Sequence, residues 1–281
     1  MEVSLSGYYV WRRRLSEPPS LKRKRLAELI KDCYFENRRR YGTRRIKAAM
    51  HKTGVKVGRF RIRQLMHEQG LKAIQPKSFT PRTTDSRGVK AAPNLLAEVK
   101  TQECAAGKLI VGDITYLPLR NGKWCYLAVW QDKVTRRIVG WSLSNRMTAE
   151  IVISALKKAI RKGLIRAGAL IHSDRGSQYA ANGFRLLLET NGFRQSMSGR
   201  GNCYDNAQAE SFFSRFKAEL IEGGVFEDID QARLEIFSYI EGYYNRVRLH
   251  SSLGYLSPME FEMELKTKNG GVKESFLSTF S

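Results

Sequence analysis

The chain has 281 residues, 42% hydrophobic and 10% aromatic, enough for one sizeable core plus a smaller unit, which excludes a fibrous or disordered class. Its 49 Lys and Arg against 27 Asp and Glu give a net charge of +22 and a pI near 10.1, a balance that points to phosphate-bearing partners, nucleic acid first. No apolar run approaches the ~20 residues of a membrane span, and the amino terminus lacks the basic-then-apolar order of a secretion signal. No membrane partner is expected, and a cytoplasmic location is.

The positive charge is concentrated at one end: residues 1–90 carry 24 basic and 7 acidic side chains, a net of +17, which leaves +5 for residues 91–281. Leu26, Leu29, Ile30, Cys33 and Tyr34 fall on one face of a helix over Leu21–Arg40, started by Pro18, Pro19 and Ser20. Within residues 41–73, Ile46, Ala49 and Met50 line a short helix, Thr53-Gly54 forms a turn, and Ile62, Leu65 and Met66 line a second helix ending at Gly70. Two short helices around a tight apolar turn resemble a helix-turn-helix. Arg44 and Arg45 on the first helix, and Arg59, Arg61, Arg63, Gln64 and His67 on the second, are donors suited to phosphates and base edges of double-stranded DNA. A small helical bundle with a solvated basic face fits the same pattern, and the surrounding charge favours DNA. Residues 1–75 therefore read as a small all-α DNA-binding domain with the motif at about 41–73, and residues 76–100 as a linker.

Beyond the linker the hydrophobic period changes. Lys108–Leu119, Trp124–Val134 and Arg136–Leu143 form an antiparallel meander. A helix over Thr148–Gly163, a strand over Ala169–Asp174, a helix over Ala181–Asn191 and a strand over Arg194–Ser198 follow, making a mixed five-stranded sheet with flanking helices, an α/β class. Asn206–Glu222 and Ile229–Tyr244 are further helices. Cys33, Cys104, Cys125 and Cys203, separated by 71, 21 and 78 residues, make no zinc-type pairs and read as reduced thiols.

Asp113 lies inside the first strand, in VGDITY, and Asp174 ends the fourth, in HSDRGSQY. Both are flanked by core-type residues, so each charge needs a partner to offset its desolvation. If those strands are neighbours, the two carboxylates can face each other and share Mg²⁺ or Mn²⁺, although an aspartate at a strand end also serves as a cap. In NAQAESFFSRFKAELIE, Ala209, Phe212, Phe213, Phe216 and Leu220 form the buried stripe, with Glu210 on its edge. Lys217, seven residues on, stacks about two turns further along the same side. That spacing is poor for a direct ion pair and suits a metal ligand beside a phosphate contact.

Asp113, Asp174 and Glu210, the last two with 35 residues between them, together with Lys217, resemble the acidic triad and following basic residue of DDE transposases and retroviral integrases. The strings DITYLP, RRIVGWS, HSDRGSQY, SMSGRGNCYDNAQAESFFSRFKAEL and YYNRVRLHSSLGYLSPMEFE are similar to those of the second-frame product of two-frame bacterial insertion sequences, over roughly residues 7–263.

The resemblance implies an RNase H-like integrase core over residues 101–263, with 264–281 as a carboxy-terminal tail. It implies a transposase that nicks 3′ ends and transfers strands, with two Mg²⁺ or Mn²⁺ ions held by Asp113, Asp174 and Glu210 and assisted by Lys217. Arg175, Gln178, Asn202, Tyr204 and Asn206 fall in family-matching loops as DNA contacts, and Tyr244, Asn245, Arg248 and His250–Leu253 match a carboxy-terminal signature open to a structural reading. His172, two residues before Asp174, either positions DNA or water or is packed. A homo-oligomer on DNA, association or fusion with the upstream-frame product, and a nucleoid-associated place in the bacterial cytoplasm are also implied. Ile110 stands where the family often has an aromatic. The rival reading is a non-cleaving DNA-binding regulator or decayed integrase. A ribonuclease acting on RNA–DNA hybrids shares the fold but does not account for the basic first third.

Overall fold

The computed structural model describes residues 4–16, 20–76, 92–96, 99, 101, 104–199, 207–221 and 224–269. They fall into two units, Met1–Ile74 and Gln75–Ser281. Among the described residues no helix is long and apolar enough to cross a membrane.

The first unit opens with α1 (Leu5–Ser16), a helix with no apolar stripe to announce it, whose Gly7 N–H donates to the Ser4 hydroxyl. In α2 (Leu21–Glu36) the Ser20 side chain caps the first turn by accepting from the Arg23 N–H, and Ile30, Cys33 and Tyr34 are buried. Leu29, expected on the same face, stays 37% exposed at its margin. α3 (Thr43–Lys52) buries Ile46 and Met50, and α4 (Arg59–Glu68) buries Ile62, Leu65 and Met66. Gly54 turns the chain between α3 and α4 with φ +81°, a conformation that side-chain-bearing residues rarely adopt. The expected helix-turn-helix is therefore present, with α2 completing its core.

The second unit is built on the strands β1 (Leu109–Pro118), β2 (Trp124–Asp132), β3 (Ile138–Ser144), β4 (Leu170–Ser173) and β5 (Arg194–Met197), in the order β3-β2-β1-β4-β5. β1 pairs antiparallel with β2 and β2 with β3, whereas β1–β4 and β4–β5 are parallel. This is the RNase H-like arrangement. On one face α5 (Ala149–Arg161) and α7 (Asn182–Thr190), the latter preceded by the single turn α6 (Ser177–Ala180), close over Ile110, Ala128, Trp130 and Ile171. On the other, α8 (Ala207–Phe216) and α9 (Ile229–Phe237) bring Phe212, Phe213, Phe216 and Ile236 onto Leu117, Leu127 and Val129. The described residues end in a short 3₁₀ turn (Ser251–Leu253) and α10 (Pro258–Asn269).

Two glycines permit this packing by close approach. A Cβ on Gly112 would fall 2.2 Å from the Trp130 ring, and one on Gly140 would fall 2.2 Å from the Ala155 carbonyl oxygen, so neither position accepts a side chain without displacing the layer above it.

The structure departs from the sequence expectation in several places. Both α8 and α9 continue as wide π-helical turns, Lys217–Ile221 and Ser238–Tyr244, where straight helices were expected. Residues 92–96, read as linker, lie against β5: Leu95 N–H donates to Ser196 Oγ at 3.0 Å and Met197 N–H to the Pro93 carbonyl at 3.3 Å. Residues 264–269, read as tail, continue α10. The outer edge of β3 is met at its first residue by Asn245, whose side-chain amide accepts from Ile138 N–H at 2.9 Å and donates to the Ile138 carbonyl at 3.0 Å.

Candidate active site

β1 and β4 are adjacent and parallel, with Leu109 opposite Leu170 and Val111 opposite His172. The same register carried two residues further sets Asp113 beside Asp174, just past the end of β4. This is the neighbourhood the two isolated apolar runs required. Asp113 is half-buried on the face of β1 that packs against α8, and its Oδ1 accepts from the Ile114 N–H at 2.8 Å. Asp174 accepts from the Gly176 N–H at 3.0 Å. A side chain at Gly176 would crowd the same carboxylate, at 3.1 Å, so glycine keeps that amide within reach.

The charges of Asp174, Glu210 and Lys217 all act on Asp113. Its carboxyl is held well above the usual range by loss of solvent first, then by Asp174 and Glu210, opposed by the Ile114 N–H and Lys217. Lys217, at the start of the π turn, lies with its Nζ 4.5 Å from the centre of the Tyr116 ring, and desolvation lowers its pKa against the pull of Asp113. Glu210 stands exposed in the first turn of α8, directly after residues 200–206, which lie outside the described residues. Among the described residues no three acidic, histidine or cysteine side chains form a ready metal-holding cluster. The register thus aligns Asp113 with Asp174, and Glu210 reaches Asp113 through its charge.

These residues fit a divalent cation on electrostatic grounds. A partly desolvated carboxylate with one backbone donor and two like-charged neighbours is unfavourable until a cation joins it. Tyr179 adds to the same neighbourhood. Its hydroxyl is buried without a hydrogen-bond partner among the described residues, and burial together with Asp174 and Asp113 raises its pKa well above the usual phenol value.

Other expected residues have other employments. His172 is fully buried, with Nδ1 2.9 Å from Ser196 Oγ and Nε2 3.2 Å from Ser198 Oγ, so it is the packed histidine that ties β4 to β5. Arg175 donates to the Ser198 carbonyl at 2.8 Å, and Gln178 to the Met147 carbonyl at 3.3 Å. Asn202, Tyr204 and Asn206 lie outside the described residues, as does Cys203. Cys33 and Cys125 are free thiols, and burial pushes both up to about 11. In the first unit Arg44 is exposed, whereas Arg45 donates to the Arg40 carbonyl at 3.3 Å.

Two polar devices escaped sequence reasoning. Gln208, two residues before Glu210, donates to Gln131 Oε1 at 3.1 Å, and Gln131 in turn donates to the Tyr244 hydroxyl and the Arg136 carbonyl, each at 2.8 Å. All three side chains are buried, so this chain of bonds fixes the register of α8 on β2 where the surrounding phenylalanines only supply apolar contact. Further along, Glu219 in the π turn receives Arg248 through Nε at 2.9 Å and through a terminal nitrogen at 2.7 Å, and the Tyr239 hydroxyl at 2.8 Å. Glutamate at a core-facing position three residues after Phe216 was the one available signal. The signature residues Tyr244, Asn245 and Arg248 are accordingly structural.

A basic helix-turn-helix unit followed by an RNase H-like sheet that brings two strand aspartates together defines an integrase-type protein. Residues 104–203 and 191–258 match family models described as integrase core domain, and residues 22–79 match one described as HTH-like domain, which takes in α2 as well as α3 and α4. The chain is 40% identical over 261 residues to the 31 kDa protein of insertion element IS600 from Shigella sonnei, covering 92% of this chain and 94% of that one. It is 40% identical over 243 residues to the transposase for insertion sequence element IS904 of Lactococcus lactis, covering 86% and 95%. With transposase InsF for insertion sequence IS3A of Escherichia coli K12 it shares 35% over 265 residues, covering 93% and 91%. The chain belongs to the family of insertion-sequence transposases.

Proposed function

We propose that this DNA transposase nicks the 3′ ends of its element and transfers the exposed 3′-hydroxyl to another phosphodiester, with Asp113, Asp174 and Glu210 as the ligands of two Mg²⁺ or Mn²⁺ ions. The observation that carries this reading is the register of β1 and β4, which aligns two carboxylates from separate strands beside the helix bearing Glu210 and Lys217. When bound, the ions supply an activated oxygen nucleophile and charge stabilisation of the leaving 3′-oxygen in an in-line displacement. Asp113 and Asp174 provide the negative floor on which a scissile phosphate can rest only with counter-charge present. The Gly176 N–H holds Asp174 in place. Lys217, supported on Tyr116, is a phosphate-oxygen donor beside that floor. No side chain has to act as nucleophile, because water or a DNA hydroxyl forms the new P–O bond as the old one breaks.

The basic first unit is the DNA-binding part of this reading, with Arg44 among its phosphate contacts. Arg175, Gln178, Asn202, Tyr204 and Asn206 are proposed contacts nearer the site. Two element ends must be brought together, so a homo-oligomer assembled on DNA is part of the same proposal, with the upstream-frame product as a further partner. The test uses the full chain and a labelled duplex bearing one element terminus in Mg²⁺. A 3′ nick and a joined product are expected, neither forming in EDTA; binding without either in Mg²⁺ would instead support the non-cleaving regulator.

A pH dependence follows from the raised Asp113 carboxyl. Its proton is bound more tightly in the folded than in the unfolded chain, so without metal this group favours folding at low pH, and that contribution is lost as pH rises through the folded value. A divalent ion must displace that proton. Thermal-shift titration with Mn²⁺ is expected to show an apparent affinity rising by up to about tenfold per pH unit below the Asp113 pKa and levelling above it. An affinity flat from acid to neutral pH would remove Asp113 from the ligand set.

A further inference from the structure

The exposed face of α4 carries a phenylalanine that the core does not use. Phe60 is 82% exposed, and no other large apolar side chain of α4 is exposed. At about 100° per residue, the buried residues Ile62, Leu65 and Met66 occupy one side of the helix and Phe60 lies nearly opposite them. Arg59, Arg63 and His67 are exposed and fall within the same quarter-turn arc as Phe60. Their side chains make no hydrogen bond or ion pair among the described residues.

The flank between this face and the core is already occupied. Arg61 donates to Gln64 Oε1 at 3.2 Å, Gln64 to Glu68 Oε1 at 3.0 Å, and Arg23 of α2 pairs with Glu68. Of the five basic or polar residues of α4 expected to meet DNA, two are thus held within the unit, and the three left free lie to one side of Phe60, within about 100° of it around the helix. An exposed apolar ring bordered on that side by two arginines and a histidine suits neither a hydrophobic protein groove nor plain solvent. It matches the floor of the major groove, where phosphates line the edges and the thymine 5-methyl group is the apolar element a side chain can read. Residues near the start of the second helix of a helix-turn-helix are those that reach base edges.

We propose that the exposed face of α4 enters the major groove of duplex DNA, where Arg59, Arg63 and His67 meet the phosphate-lined edges and Phe60 determines sequence preference by packing on thymine 5-methyl groups. This rests on the reading of the first unit as DNA-binding. The probe is a set of duplexes enriched by the full-length protein from a randomised library, each then remade with single thymines replaced by deoxyuridine. Removing the methyl at one or two positions is expected to weaken wild-type binding about fourfold, the effect of losing one buried methyl-sized contact. Phe60→Ala, whose melting temperature should be unchanged, is expected to bind the thymine duplex more weakly and to lose the distinction between thymine and deoxyuridine. Arg63→Ala is expected to weaken binding to every duplex alike and to lower the salt dependence by about one counterion, the behaviour of a phosphate contact.

The proposal is overturned if Phe60→Ala keeps the methyl preference, or if wild type enriches duplexes yet shows no such preference at any thymine. It is overturned too if Phe60→Ala alters the state of association of the protein and leaves DNA binding intact, the result expected of a protein-contact residue. Failure of the wild type to enrich any duplex would take down the DNA-binding reading of the first unit as well.

Discussion

Asp174→Asn, and separately Asp113→Asn, is expected to lower Mg²⁺-dependent nicking and joining by about a thousandfold or more, equivalent to about 4 kcal/mol of transition-state stabilisation. The change keeps the shape of the side chain and removes the charge that a divalent ion needs. The folded state should survive both substitutions. At neutral pH Asp113→Asn should even raise the melting temperature without metal, because it removes a desolvated carboxylate facing Asp174 and Glu210. The Mn²⁺-induced thermal shift should shrink in the same variant. Full activity in Asp174→Asn, measured on a labelled terminus with the melting curve as control, would end the assignment of the acidic site.

The largest loss of stability is expected from breaking the pair between Glu219 and Arg248. Both side chains are almost wholly buried, at 2% and 3% exposure, so removing either partner strands a charge in the core between α8, α9 and the sheet. Arg248→Met or Glu219→Leu alone should cost about 3–5 kcal/mol in urea unfolding. The combined variant should recover most of it, since two apolar groups of similar volume leave no buried charge behind; the Tyr239 hydroxyl then loses its acceptor and His250 its contact with Arg248. A single variant losing under about 1 kcal/mol would mean the pair behaves as a surface salt bridge, contrary to its burial.

Much of the catalytic unit could be read from the chain because its signals are local. The meander of β1 to β3 shows as three consecutive β-rich segments separated by Arg120-Asn121-Gly122 and Thr135, and the short apolar run before Asp174 shows as a buried strand. The alignment of Asp113 with Asp174 needed only the adjacency of those strands, and the observed pairing supplies it. The helix-turn-helix was legible for the same reason, through the apolar stripes of α3 and α4.

What stayed hidden depends on contacts between distant residues or on geometry that composition does not encode. Gln131 and Gln208 are polar residues with no periodic mark, and their bond spans 77 positions. A helix wheel puts Glu219 on the apolar stripe but does not name its partner, Arg248, which lies 29 positions further on. α1 carries no apolar stripe, and its Leu5 and Tyr9 stay exposed, at 76% and 60%. On α4, counting donors picked out Arg61 and Gln64, which are committed to their own unit, and passed over Phe60 because an exposed apolar residue carries no charge to count.

The amide of Asn245 answers both main-chain groups of Ile138 on the open side of β3. At that position the donor and acceptor of the rim strand are already met, so a passing extended chain finds nothing there to zip onto. The carboxy-terminal segment thus also acts as a stop at the Ile138 end of the rim: a copy lacking that amide would leave one donor and one acceptor open for a strand of an identical molecule.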